Sequence, residues 1–347
     1  MSTPGIIYFI GEKDLRTGEI SSYYKVGIVR ENQNNIERDA DERLTEHQTG
    51  NPRELFVEHT ISTPFAERIE TLVHKKFASW GVRGEWMSLA ADQLEKVKVA
   101  TSLFAKEAVE VAKAEDLASQ LADTPSSESI LKSTDETLSL QIRYLQESSK
   151  LKQCEAMRQT LKKLIEVAHK EEPATVDQFA EVREQKGRSK FDEDGFRAKY
   201  PEIYQKFIQR SRSIKARFSV VSPKDLEIRF VDFDKQFNEF IDLFSQSLDR
   251  IQKSSLDKRV YHDLSLTILR FIAEAEWEKF KAEIKLKIAC GTNREIEGVL
   301  KWPREEIIKE SVDKKALKEK FPIEFEEFIT TGAPITAVIV DPKKGYS

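Results

Sequence analysis

Two nearly continuous apolar runs open the chain, GIIYFIG (5–11) and SYYKVGIV (22–29). The polar stretch EKDLRTGEIS between them carries a Gly turn signal, so the pattern predicts a β-hairpin. After a polar insert, ADERLTEHQTG (40–50) reads as a short helix stopped by Gly50 and Pro52. ELFVEHTIS (54–62) alternates as a third strand. TPFAERIETLVHKKFASWG (63–81) reads as a helix with a Thr cap, a Pro in its first turn and a Gly at its end. Its apolar residues Phe65, Ile69, Leu72, Val73 and Phe77 share one side. GEWMSL (84–89) closes the module as a short strand.

The pattern then changes. Residues 90–121 form a charged, Ala-rich helix, and DTPSSES (123–129) breaks it. Across 134–170, Leu140, Tyr144, Leu151, Cys154, Leu161, Ile165 and Ala168 recur in alternating steps of three and four, interrupted by Glu147 and Arg158. Such a stripe fits either a helical hairpin folding on itself or a coiled coil between copies of the chain. Beyond Pro173, FRAKYPEIYQKFI (196–208) repeats as LKEKFPIEFEEFI (317–329), with Pro201 and Pro322 in register. ARFSVVSPK (216–224) and ITAVIVDPK (335–343) follow the two copies, which suggests a duplicated helix–strand element pairing in one small sheet. Between the copies, Phe233, Phe237, Phe240, Phe244, Leu248 and Ile251 form a helical core stripe, and 258–289 reads as another helix.

The expected architecture is therefore α+β. A mixed sheet with flanking helices spans 1–90, a helical hairpin or coiled-coil region 91–172, and a mainly helical C-terminal domain 173–347. Charge narrows the function. The net charge is −4, and residues 1–89 hold 11 Lys and Arg against 14 Asp and Glu, unlike a broadly basic nucleic-acid protein. RSRSIKARF (210–218) runs against that balance. Its Arg210, Arg212, Lys215 and Arg217 are either a DNA-contacting surface or a solvated helix end. The two cysteines, Cys154 and Cys290, stand in no metal-ligand spacing and read as reduced thiols. No run approaches ~18 apolar residues and no basic leader precedes one, so a cytoplasmic protein without membrane partners is expected.

Candidate chemistry lies in the first module. Arg43 and His47 are four apart and share a helix face, a pairing suited to a phosphodiester. Glu67, Glu70 and His74 share another, and a carboxylate there suits one hydrated Mg2+. Glu85 and Trp86 read as packing and capping at the module's end.

In order and spacing, residues 5–89 resemble the GIY-YIG nuclease superfamily. GIIY stands for the first signature, with Tyr8 as its tyrosine, and YYKVG (23–27) for the second. Arg43 and His47 match the helix signature, and Glu70 the metal-binding glutamate. RLTEHQTGNP (43–52), ETLVHKKF (70–77) and EWMSL (85–89) are similar to a phage-associated branch described as DNA-binding. The resemblance implies hydrolysis of DNA with one Mg2+ or Mn2+ ion: a tyrosine helping to activate water, an arginine stabilising the pentavalent charge, and Glu70 holding the metal. Tyr24 and His74 stand beside this set as candidate substrate contacts. The sequence departs from the family at Lys25, which sits two residues before Gly27, where the tyrosine of the second signature is expected. Because strand side chains alternate, Lys25 shares a face with Gly27 and Tyr24 points the other way. Three readings follow: a metal-dependent DNA endonuclease; a non-catalytic DNA-binding or assembly protein on a degenerate form of the fold; and an interaction scaffold in which 134–170 mediates oligomers and the N-terminal module is a sensor, with the phage-like resemblance suiting host–phage conflict.

Overall fold

The structure, a computed structural model, describes residues 4–30, 40–49, 51–177, 179–222, 234–253 and 258–340. The hairpin forms from β1 (Gly5–Lys13) and β2 (Ile20–Arg30). Its turn closes where the Asp14 carboxylate accepts the backbone N–H groups of Arg16 and Thr17, at 2.8 and 3.0 Å. Gly18 takes φ of 71° there, a conformation that suits glycine. α1 (Ala40–Gln48) precedes β3 (Glu54–Thr63), which lies along the free edge of β1. α2 (Ala66–Lys76) is shorter than the pattern predicts. Thr63 still belongs to β3, its hydroxyl accepts the Phe65 N–H, and a 3-10 turn (Ala78–Trp80) replaces the last helical turn. β4 (Gly81–Arg83) and β5 (Trp86–Ser88) complete a sheet of order β3-β1-β2-β5-β4. Every pairing in it is antiparallel, where a mixed sheet was expected.

The two sheet faces bury different sets. Ile7, Phe9, Tyr24 and Val26 meet α2, while Tyr8, Ile10 and Val29 pack with Ala40 and Leu44 of α1. The first core does not stop at residue 90. It continues through α3 (Ala91–Ala122) and takes in Ala273, Trp277 and Ile284 from a helix far down the chain.

After α3 come β6 (Ile130–Leu131), α4 (Asp135–Glu171), α5 (Pro173–Val176), β7 (Ala180–Gln185) and β8 (Ser189–Phe191). α6 (Glu193–Lys199), α7 (Pro201–Lys206), β9 (Ile208–Ala216) and β10 (Ser219–Val220) follow. Next are α8 (Lys235–Lys253), α9 (Lys258–Cys290), β11 (Glu295–Ile296) and β12 (Leu300–Lys301). The chain ends in β13 (Arg304–Val312), α10 (Lys314–Lys320), α11 (Pro322–Glu326), β14 (Ile329–Thr331) and β15 (Ile335–Val340). α4 starts where the Thr134 hydroxyl caps the Thr137 N–H.

The apolar stripe of α4 is buried within the chain itself. It packs on α9. Cys154, Leu161, Ile165 and Ala168 join Phe237, Phe240 and Phe244 of α8 and Tyr261 to Ile272 of α9 in one core, while Leu140 and Tyr144 reach a smaller core around Trp302. Phe233 lies outside the described residues, as do the side chain of Ile251, residues 31–39, Gly50, and the ends of the two repeat strands at 223–224 and 341–343. Both cysteines are buried and unpaired.

The duplication is real in three dimensions, but its strands pair differently from the sequence expectation. Among the described residues the two segments that follow the copies do not pair with each other: β10 runs along β12 and β15 along β7. Instead β9 runs antiparallel to β13, β8 to β14, and β7 to β15. Each copy is a strand, two short helices broken at a proline, and a strand, and the leading strand of one copy pairs with the trailing strand of the other. A pseudo-twofold relates them: Phe191 faces Ile329 in one ribbon as Val312 faces Ile208 in the other. The paired helices bury their own small core of Phe191, Phe196, Tyr204, Phe207, Leu317 and Phe325.

Candidate active site on the N-terminal sheet

Tyr8 lies opposite Gly27 across the β1–β2 ladder. A Cβ on Gly27 would stand 2.4 Å from the Tyr8 hydroxyl, so only glycine lets the phenol ring cross β2 at this point. The hydroxyl and His47 Nε2 form a hydrogen bond of 3.3 Å, joining β1 to α1. What holds α1 there is the QTGNP stretch. Gln48 donates to the carbonyls of Asn51 and Arg53 (3.2 and 2.8 Å) and accepts the Leu55 N–H at 2.8 Å, pinning the helix end to β3. Arg43, one turn before His47, consequently faces the same space, with Glu46 as its ion-pair partner.

β5 pairs with β2 only over residues 23–25, and beyond that the Val26 N–H is taken by the Glu85 carbonyl at 3.0 Å. Among the described residues no strand pairs with the remaining edge of β2. Here a cleft of about 350 Å3 is lined by Tyr8, Ile28, Val29, Arg30, Arg43, Glu70 and Glu85. A second, of about 330 Å3, is lined by Lys25, His47, Thr49, Asn51, Pro52 and Trp86. The two adjoin at the Tyr8–His47 hydrogen bond and at a 3.0 Å ion pair between Lys25 and Glu85.

Burial sets the electrostatics. It pushes the Glu70 carboxyl up to about 7, with Glu85 opposing a second negative charge and Arg30 and Lys25 pulling the other way. The Tyr8 phenol is pushed up to about 12 by burial and by Glu85. His47 is held below its ordinary value by burial and by the Lys25 and Arg43 cations. Tyr8 is therefore a neutral hydroxyl and His47 a neutral imidazole at physiological pH.

Of the residues named from sequence, Tyr8, Lys25, Arg43, His47 and Glu70 converge on this edge from four elements. Tyr24 does not. It lies on the opposite face, 8 % exposed, within the core. His74 is turned inward, its Nε2 at 2.9 Å from the Val26 carbonyl, and ties α2 to β2. Arg210, Arg212, Lys215 and Arg217 lie on or just after β9, not at a helix end. Arg210 is 2.8 Å from Glu310 and Arg212 is 3.7 Å from Glu306, so this stretch is largely charge-balanced by β13. Glu85, read from sequence as packing, lines the cleft instead. Arg30, paired with Glu67 at the cleft's edge, was not singled out at all. The signal for Glu85 was present in EWMSL, but its nearness to Lys25 arises from the pairing of β5 with β2.

The chain as a whole matches no curated protein and no solved structure. Over its first part, residues 5–102, it matches the T5orf172 domain, a domain of the GIY-YIG-like, phage-associated family.

Proposed function

We propose that the cleft hydrolyses DNA phosphodiester bonds as a metal-dependent endonuclease. The observation that carries this reading is the convergence of Tyr8, Lys25, Arg43, His47 and Glu70 on one open sheet edge. In-line phosphoryl displacement needs positioning and charge stabilisation more than covalent help from the protein. Tyr8 orients the attacking water, and its proton passes through the phenol hydroxyl to the neutral His47 imidazole. The Arg43 guanidinium and the Lys25 ammonium face the charge that builds on the phosphoryl oxygens. Glu85 positions Lys25 by its ion pair.

The residues also fit a single Mg2+ or Mn2+ ion. Glu70 and Glu85 are hard oxygen donors, and their mutual repulsion, which helps raise the Glu70 carboxyl, is what a divalent cation relieves. A Mg2+ ion needs few protein ligands and keeps most of its waters. When bound at Glu70, the ion supplies Lewis-acid stabilisation of phosphoryl and leaving-group oxygens.

Plasmid DNA incubated with the full chain and Mg2+ or Mn2+ tests this. Nicking is expected for wild type. Glu70→Ala and Arg43→Ala are each expected to lower it by about 100-fold or more, the scale of losing one charge-stabilising group. Lys25→Ala is expected to slow it without abolishing binding. Nicking that persists undiminished in both the Glu70 and Arg43 variants removes this site from the reaction.

A further inference from the structure

The two ribbons of the C-terminal repeat share a fold but not a charge pattern. On the β9–β13 ribbon carboxylates stand among the cations, and Arg210 and Arg212 are paired with Glu310 and Glu306. The pseudo-twofold carries Arg210 and Glu310 onto Thr331 and Ser189 of the other ribbon. There the ion pair is replaced by a 3.3 Å contact between two hydroxyls. Around it the strands change character. From Gln185 to Phe191 and from Ile329 to Ile335 neither strand contains a carboxylate, and the first carries Lys186, Arg188 and Lys190. All three cations are exposed, and among the described residues no carboxylate forms an ion pair with them. The backbones also approach closely here. A Cβ on Gly187 would lie 1.9 Å from the Gly332 carbonyl oxygen, so the crossing stays low and free of bulk.

Three exposed cations, two hydroxyls and a glycine crossing make a surface suited to phosphate oxygens. Most protein–DNA hydrogen bonds of this positioning kind come from Arg, Lys, Ser and Thr, and a two-stranded ribbon has the dimensions of a major groove. The opposite sign of the remainder makes the patch more selective. The chain carries −4 overall and its first 89 residues hold more acids than bases. That module has little non-specific affinity for a polyanion, so a nuclease built on it needs a separate handle.

We propose that Lys186, Ser189, Arg188, Lys190 and Thr331 form a docking surface for the phosphate backbone of double-stranded DNA. The surface tethers the substrate of the N-terminal cleft, and in that respect it rests on the nuclease reading.

The test separates the two. The full chain carrying Glu70→Gln, kept in EDTA so that nothing is cut, is titrated against a labelled 30-base-pair duplex from 50 to 200 mM salt. Adding Lys186→Ala, Arg188→Ala and Lys190→Ala is expected to weaken binding. The slope of log affinity against log salt is expected to fall by about 2–3, one step per lost phosphate contact. Arg210→Ala with Arg212→Ala, on the charge-balanced ribbon, is expected to change neither. An unchanged slope in the triple variant, an equal loss from both ribbons, or a basic patch that binds anionic phospholipid vesicles and not DNA each overturns the proposal. Circular dichroism and thermal midpoints of these surface variants are expected to match wild type. If the triple variant loses binding while wild type never nicks plasmid, the docking surface stands and the nuclease reading fails. If wild type nicks and the triple variant binds and nicks equally well, the reverse holds.

Discussion

Glu70 and Glu85 set two carboxylates against one another at the edge of a sheet, and the consequence is a dependence of stability on pH. The Glu70 carboxyl takes an ordinary value of 4.5 when unperturbed and about 7 in the fold, so the folded protein holds the proton more tightly. A raised value favours folding fully below pH 4.5, and that contribution is lost as pH rises through 7. Glu70→Gln, which never ionises, is therefore expected to match wild type at pH 4 and to be more stable by about 1–2 kcal/mol at pH 8. That figure is well below the full conversion of the shift, because the side chain is partly solvated. Saturating Mg2+ is expected to narrow the gap by binding the ionised wild type. Urea midpoints at the two pH values, with and without the ion, measure it; identical midpoints at both would mean that the carboxylate is well solvated. The site was partly legible before folding. Arg43 and His47 share a helix face by spacing alone, and Lys25 shares one with Gly27 by strand alternation. Glu85 was hidden because its place depends on a contact between β5 and β2 that leaves no local period. Tyr24 follows the same alternation: one step along the strand from Lys25, its ring turns into the core.

At the scale of elements, periodicity located the helices well and named their partners poorly. The α4 stripe is real, yet a 3–4 spacing specifies only that an apolar face exists. Its partner, α9, lies beyond the whole first repeat copy. The same holds for the duplication, where helix pairs broken at Pro201 and Pro322 were readable but the exchange of strands between copies was not. If α4 is an intramolecular core helix, truncation on its stripe must behave as core truncation. Leu161, 1 % exposed within the cluster shared with α8 and α9, is expected to cost about 2–5 kcal/mol as Leu161→Ala. Val167, 55 % exposed on the same helix, is expected to cost less than about 0.5 kcal/mol as Val167→Ala. Denaturant unfolding at protein concentrations a hundredfold apart supplies the check. A midpoint that rises with concentration would instead assign the stripe to contacts between copies.

Across the whole molecule, α9 is the common member of three cores. Tyr261 to Ile272 serve the α4–α8 core, Ala273 to Ile284 the N-terminal core, and Leu286 and Cys290 the core around Trp302. At about 1.5 Å per residue its 33 residues span ~50 Å, long enough to link them. Its grip on the first module is specific. Trp277 is 2 % exposed, and its indole N–H donates to Glu107 at 2.7 Å. Phe280 packs edge-on against Phe65, with the Arg68 guanidinium 3.7 Å from its ring centre. Lys75 and Lys76 of α2 pair with Glu276 and Glu274. A domain cut at residue 90, natural from the change in sequence pattern, would strip these groups from the sheet's apolar face. The cleft-bearing module is thus expected to depend on α9 for its stability. Trp277→Ala is expected to cost about 3–5 kcal/mol by opening a cavity and leaving Glu107 without its indole partner. Hydrogen exchange distinguishes this from local damage. Protection is expected to fall in α2 and β2 together with α9, because the three share one core, while the small aromatic core of the repeat keeps its own. Loss confined to α9 would mean that the N-terminal sheet folds without it.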